Sequence, residues 1–412
     1  MGFDVASVRG LYASLGEEWT YLNAHDAPQV PVKVDGGIVR ALRTANNRLS
    51  REESGSHRRL SARPRFEGDL YLAAARAAVA DLVGATADRV VLGPSLEHLY
   101  RDLIRAMRPV LRYDSSVVLS RHDRPALHRA LDTPAARTVV AEPDLATGLL
   151  PAGQYDDIVD RTTRLVSFPA AHDLLGTITP VKEIVSRAHA HSRLWVLVDA
   201  TAYASYRLVE AEDWDADIIG LDLAALGGPQ LGALVFRDPR MVRRLDALNP
   251  AAPEGSVLAL ESPVSAALAG GVAPLVEHIA RLGGAGESGP RRARLKASAR
   301  EVGRHFSQLA RELVTFLASL PAVHVLGVSG EEGLDLEADR LPRLSFMVEG
   351  VPAETVQRRL TDNGLLTTLA PESLLLDAMG VREAGGAVTV SLAAFNRVKD
   401  VEHLTRAVAS LA

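Results

Sequence analysis

The chain has 412 residues, 47% of them hydrophobic and 24% charged, with a formal net charge of −5 and no cysteine. That length suffices for one large domain and a smaller one, and the mild acidity argues against nucleic-acid or membrane-surface partners. Disulfides, cysteine nucleophiles and cysteine metal sites are excluded. Residues 1–10 lack a basic segment followed by an apolar core, so no secretory signal is expected. No apolar run approaches the roughly 20 residues that span a bilayer, and the expected location is cytoplasmic.

In chain order, residues 89–92 read as a short strand ending at Gly93-Pro94, and 97–111 follow with helical periodicity. Residues 116–120, 138–141 and 164–168 read as strands, 181–192 as a helix and 195–198 as a buried strand. The apolar runs 218–221 and 231–236 flank Gly227-Gly228-Pro229. Short apolar strands between helices predict an α/β domain with a mostly parallel sheet covered on both faces. Ligands of such sheets sit beyond the carboxyl ends of the strands, and His122, His172, Asp173 and Asp199 all follow such ends. Residues from about 264 to 320 read as helical around a glycine-rich turn at 283–289. The tail carries strands at 323–328, 343–348 and 387–392, with helices at 353–363 and 398–411, which predicts a small α+β domain. The expected organisation is an N-terminal segment 1–15, a large domain 16–262, connecting helices 263–320 and a small domain 321–412.

The stretch 194–236 resembles the cofactor region of class V aminotransferase-fold enzymes, the cysteine desulfurase and isopenicillin N epimerase group. The similarity extends over nearly the whole chain, through Tyr21-Leu22-Asn23, Gly176-Thr177, Asp199, Gly228-Pro229 and Ala394-Phe395-Asn396. It implies a pyridoxal phosphate (PLP) transferase type I fold and a homodimer with sites at the interface. In that family a lysine four residues before the proline of a Gly-Pro holds PLP as a Schiff base. Ala225 occupies that position here, so the resemblance implies a degenerate member with no cofactor.

Other matched positions depart too. Glu97 stands where a Thr or Ser helps hold the cofactor phosphate, and Val264 stands near the hydroxyl that reaches the partner's site. Asp173 replaces the Asn that touches the pyridine hydroxyl, Ala202 a His, and Thr389 the carboxylate-clamping Arg. Asp199 can still pair with a ring nitrogen, and His122 can still stack on an aromatic ligand.

The resemblance places a new polar set around the vacated site. His25, Asp26, His122, His172 and Asp173 are the candidate catalytic residues. Glu97, His98, Asp199, Tyr203, Ala225, Thr389 and, from the loop 54–65, His57 and Arg58 are the candidate substrate contacts. A His or Asp after a strand also serves commonly as a helix cap, and Glu97 suits a helix N-terminus by its charge alone. His189-Ala190-His191 has metal-ligand spacing, but on a helix the two rings point apart, and no metal is expected. The leading expectation is acid–base chemistry on a small molecule without PLP, in specialised metabolism. The alternatives are a non-catalytic subunit that pairs with an active PLP-dependent paralogue, and a protein that binds PLP or its amine form without a covalent link.

Overall fold

A computed structural model describes residues 3–16, 19–49, 66–191, 193–284, 288–327 and 339–411. The expected loop contacts His57 and Arg58 lie outside the described residues. The strands are β1 Thr20–Tyr21, β2 Val90–Gly93, β3 Ser116–Ser120, β4 Arg137–Ala141, β5 Thr163–Pro169, β6 Trp195–Asp199, β7 Ile218–Asp222, β8 Gly232–Phe236, β9 Val323–Val325, β10 Arg343–Val348, β11 Leu365–Leu366, β12 Thr368–Leu369 and β13 Val388–Ser391.

Seven strands form the main sheet in the order β2-β8-β7-β6-β5-β3-β4. β8 runs antiparallel to both neighbours, and the other pairs are parallel. Successive side chains of a strand face opposite ways, so near-continuous apolar runs fill two cores at once. Val90, Leu92, Val118, Val166, Phe168, Val196 and Val198 pack on one face with the helices Glu67–Val83, Val181–His191 and Val272–Arg281. Val91, Val117, Leu119, Leu165 and Leu197 pack on the other with Leu96–Ala106 and Pro125–Leu131. This is the doubly covered, mostly parallel sheet expected from the sequence.

A four-stranded antiparallel sheet, β12-β13-β10-β9, carries the smaller core with the helices Ala353–Asp362 and Val398–Ala409. The helix Arg291–Ala318 spans from one core to the other, with Leu295 in the first and Val302, Phe306 and Leu309 in the second. β1 pairs with β11, tying the N-terminal segment to this region.

Several expected boundaries move. Arg89 belongs to a 3-10 turn ahead of β2. The helix expected over 97–111 ends at Ala106, where the Met107 amide closes the last turn. β9 ends at Val325. Among the described residues, no helix is long and apolar enough to cross a membrane.

Candidate functional site

The loops after the carboxyl ends of β3, β5, β6 and β7, where such sheets form their ligand cleft, bring their side chains together, and local hydrogen bonds fix each one. After β3, the Ser120 hydroxyl accepts the His122 amide at 3.0 Å and the Asp123 carboxylate accepts the Ser120 amide at 2.8 Å. This tight turn delivers Arg124 to the cleft just before Pro125 starts a helix, where proline's missing N–H costs nothing. After β6, Oδ1 of Asp199 accepts the Thr201 amide at 2.9 Å. After β7, the Asp222 amide donates to the Thr201 hydroxyl at 3.0 Å, and Oδ1 of Asp222 accepts from Ala224 at 3.2 Å.

Each of these aspartates therefore spends one oxygen on its own loop and turns the other to Arg124. The guanidinium donates to Oδ2 of Asp199 at 3.2 Å and to Oδ2 of Asp222 at 3.5 Å. Burial works against the charge on Arg124, but Asp199, Asp173 and Asp222 outweigh it and hold the cation firmly.

A second arginine faces the same cleft from β10. Arg343 is almost fully buried and donates from Nη1 to the Asp173 carboxylate at 2.6 Å and to the Asp173 carbonyl at 2.9 Å. Its Nη2 reaches the Tyr206 hydroxyl at 3.4 Å, with the guanidinium carbon 5.0 Å from the centre of that ring. Gly176 makes this approach possible. It has φ +68°, and a Cβ there would sit 2.5 Å from the Arg343 carbonyl oxygen, so a side chain would force the 172–177 loop off β10. Burial pushes the Asp173 carboxyl up, yet the nearby cations of Arg343 and Arg124 prevail and hold it below its ordinary value.

His25 joins this pair through the sheet register. β10 aligns Arg343 with Ser391, and the Ser391 hydroxyl accepts the His25 amide at 2.8 Å while lying 3.0 Å from His25 Nδ1. Burial and the Arg343 charge lower the His25 pKa to about 4, against the opposing pull of Asp173 and Asp26. The ring is neutral at pH 7. A Ser391 proton donated to Nδ1 leaves the ring's own proton on Nε2. That nitrogen is buried without a hydrogen-bond partner, as is Nε of Arg343.

Two further histidines pack against each other. His122 and His172 have ring centroids 4.9 Å apart in an edge-to-face arrangement. His172 Nδ1 accepts the amides of Leu174 and Leu175 at 3.2 and 3.1 Å, and burial lowers its pKa to about 4 against the pull of Asp173. Burial, then the neighbouring His172, holds His122 well below its ordinary value, with the Gly148 backbone opposing. Neither His122 ring nitrogen completes a hydrogen bond.

Thus His25, His122, His172, Asp173 and Asp199 come together. Asp26 is exposed at the rim and accepts from Asn23 at 3.3 Å. Glu97 pairs on the surface with Arg101, one helical turn on. His98 is half exposed, with Nε2 3.2 Å from Asp102 and 3.1 Å from Ser262. One nitrogen facing both groups is not the relay that a serine nucleophile needs.

Tyr203 turns to the outer surface, edge-on to Trp214 and near Lys182. Thr389 is fully buried inside the small sheet, its hydroxyl 2.7 Å from that of Ser345. Ala225 lines an apolar cavity with Tyr206 and Phe395. His189 and His191 face different partners, Asp217 at 2.8 Å and Asp156 at 3.2 Å. Sequence reasoning missed Arg124, Asp222, Arg343 and Ser391. Arg124 stands two residues after His122 in the sequence, and Arg343 reads only as the first residue of a strand.

An aminotransferase class-V family model matches residues 40–404. An uncharacterised protein of Mycobacterium tuberculosis is 35% identical over the full length of both chains. An aminotransferase-like protein of Gibberella zeae is 25% identical over 79% of each. Among solved structures, a cysteine desulfurase of Thermococcus onnurineus superposes with a TM-score of 0.79 at 18% identity, covering 100% of this chain and 98% of that one. One from Escherichia coli gives 0.76 at 17% identity, covering 99% and 98%. The fold is that of the PLP-transferase type I cysteine desulfurases.

Proposed function

The chain belongs to the aminotransferase class-V family, and we propose that it performs proton-transfer chemistry on a small carboxylate-bearing molecule without PLP. The observation that carries this reading is the pair of buried donors without partners, His25 Nε2 and Arg343 Nε. Unpaired buried donors are costly, and the oxygens of an anionic ligand are partners that such donors take.

In this reading PLP does not fit the residues present. The four lysines, Lys33, Lys182, Lys296 and Lys399, are all exposed, so none offers the Schiff-base amine. Lys182 pairs with Asp213 and Lys296 with Glu210. The carboxylate that the family turns to a ring nitrogen, Asp199, is already held by Arg124.

The cleft's own residues divide the chemistry. Arg343 and the Nε2–H of His25 anchor the anion. His122, neutral and with an acceptor nitrogen uncommitted, serves as the base. Asp173 holds Arg343 in place. Two chains associate through the exposed apolar side chains Val39, Leu42, Phe66 and Leu70.

Proton transfer is tested by hydrogen exchange at the ligand's own carbons, whatever the product. Small carboxylates that raise the melting temperature are incubated with the protein in D2O, and loss of ligand C–H signals is followed by NMR. Exchange is expected with wild type and is lost in H122Q and weakened in H25Q. Absence of exchange for every carboxylate that binds would sink the proton-transfer reading.

A further inference from the structure

Beside the polar cleft lies a cavity of about 120 Å³ that the chemistry above leaves unused. Its wall is built from Leu82, Leu295, Val302, Phe306, Phe395 and the methyl of Ala225. Two further wall residues belong to the edge of the cleft. Ala24 is the chain neighbour of His25, and Tyr206 carries Arg343 against its ring.

Polar side chains on the wall already have partners. The Tyr12 hydroxyl is 2.9 Å from His278 Nε2. Ser298 donates to the Ile279 carbonyl at 2.7 Å, Ser205 to Thr201 at 3.2 Å, and Arg207 to Asp339 at 2.6 Å. A wall with its polar groups paired favours an apolar guest over a polar one. An apolar cavity of about 150 Å³ accommodates benzene, so this one suits about four to six carbons. Ala225 controls the space, because a longer side chain at that position would occupy it.

We propose that the ligand is an amphipathic carboxylate, its anionic head at Arg343 and His25 and its apolar body passing Tyr206 and Ala225 into this cavity. The proposal rests on the anion-binding half of the proposed function and adds the chemical class of the substrate. The residue at 225 thereby sets chain-length specificity.

The experiment is calorimetric titration of the full chain with acetate, butanoate, hexanoate and octanoate. Affinity is expected to rise about fourfold per methylene up to about six carbons and then to level off. A225L removes that rise, so that hexanoate binds no more tightly than acetate. A299L, which narrows the cavity from the helix Arg291–Ala318, does the same and stands in should A225L fail to fold. R343M lowers the affinity of every member but keeps the dependence on length. Binding that is equal along the series in wild type overturns the cavity proposal and leaves the anion site standing. No binding by any member overturns both.

Discussion

The guanidinium of Arg124 donates to the Asp199 carboxylate across 3.2 Å, joining the loop after β3 to the end of β6. Asp199 is 7% exposed at its side chain and Arg124 29%. Removing the cation strands a buried carboxylate, which typically costs about 3–5 kcal/mol when both partners are dry. Partial exposure of Arg124 brings the expectation for R124M to about 2 kcal/mol, read as a lower urea midpoint. R124M/D199N recovers most of that loss, because the stranded charge is gone. Losses that simply add in the double variant would show that the pair is not coupled.

The same ion pair makes a prediction about the cofactor. Purified protein is expected to show no absorption band between roughly 330 and 430 nm, and to gain none on titration with PLP. A225K supplies an amine at the position that the sequence resemblance gives to the family's lysine but leaves Asp199 committed to Arg124, so it too is expected to stay colourless. A stable band in A225K alone would mean that the amine is the only missing part and would contradict the role given to Arg124.

Histidines with lowered pKa contribute to the acid limb of stability, His25, His172 and His278 among them. Burial holds His25, His172 and His278 each at about 4, below the ordinary value near 6.5. The unfolded chain therefore takes up protons first as pH falls. The contribution of these histidines to stability is full above about pH 6.5 and is lost as pH drops towards 4. Urea midpoints at pH 7.5 and 5.0 measure the decline. H172N retains an acceptor for the amides of Leu174 and Leu175 but has no titrating ring, so its midpoint varies less with pH. Equal variation in H172N and wild type would remove His172 from this account.

The sheet was legible because its strands are buried on both faces. Uninterrupted apolar runs such as 195–198 and 218–221 announce themselves without a partner strand. β11 and β12 were not legible, since two residues carry no periodicity. The cleft was legible where a residue follows a strand end, as His122, His172, Asp173 and Asp199 do. It was not legible where a side chain arrives by cross-strand register. Thr389 matches the family's clamping arginine by sequence position, but it pairs with Ser345 inside the sheet. The arginine at the cleft comes from the neighbouring strand, at Arg343, aligned with Ser391. Nothing in a single sequence states that alignment. Tyr203 lies away from the cluster, because the short helix after β6 packs it against Trp214.

Association can be tested on the face formed by the helix Val32–Thr44 and the start of Glu67–Val83. Leu42 is 69% exposed, and Val39, Phe66 and Leu70 are exposed beside it. The two helices meet closely there: a Cβ on Gly68 would lie 3.1 Å from the Ala45 carbonyl. Contiguous exposed apolar side chains mark an interaction surface. Sedimentation of wild type is expected to give a dimer, and L42E a monomer. Because Leu42 already faces water in the single chain, L42E is expected to leave the monomer's own unfolding within about 0.5 kcal/mol. Monomeric wild type at micromolar concentration would count against self-pairing and favour a different chain on that face. A dimeric L42E would place the contact elsewhere. If the monomeric variant still binds small carboxylates, the Arg343 and His25 site is complete within one chain.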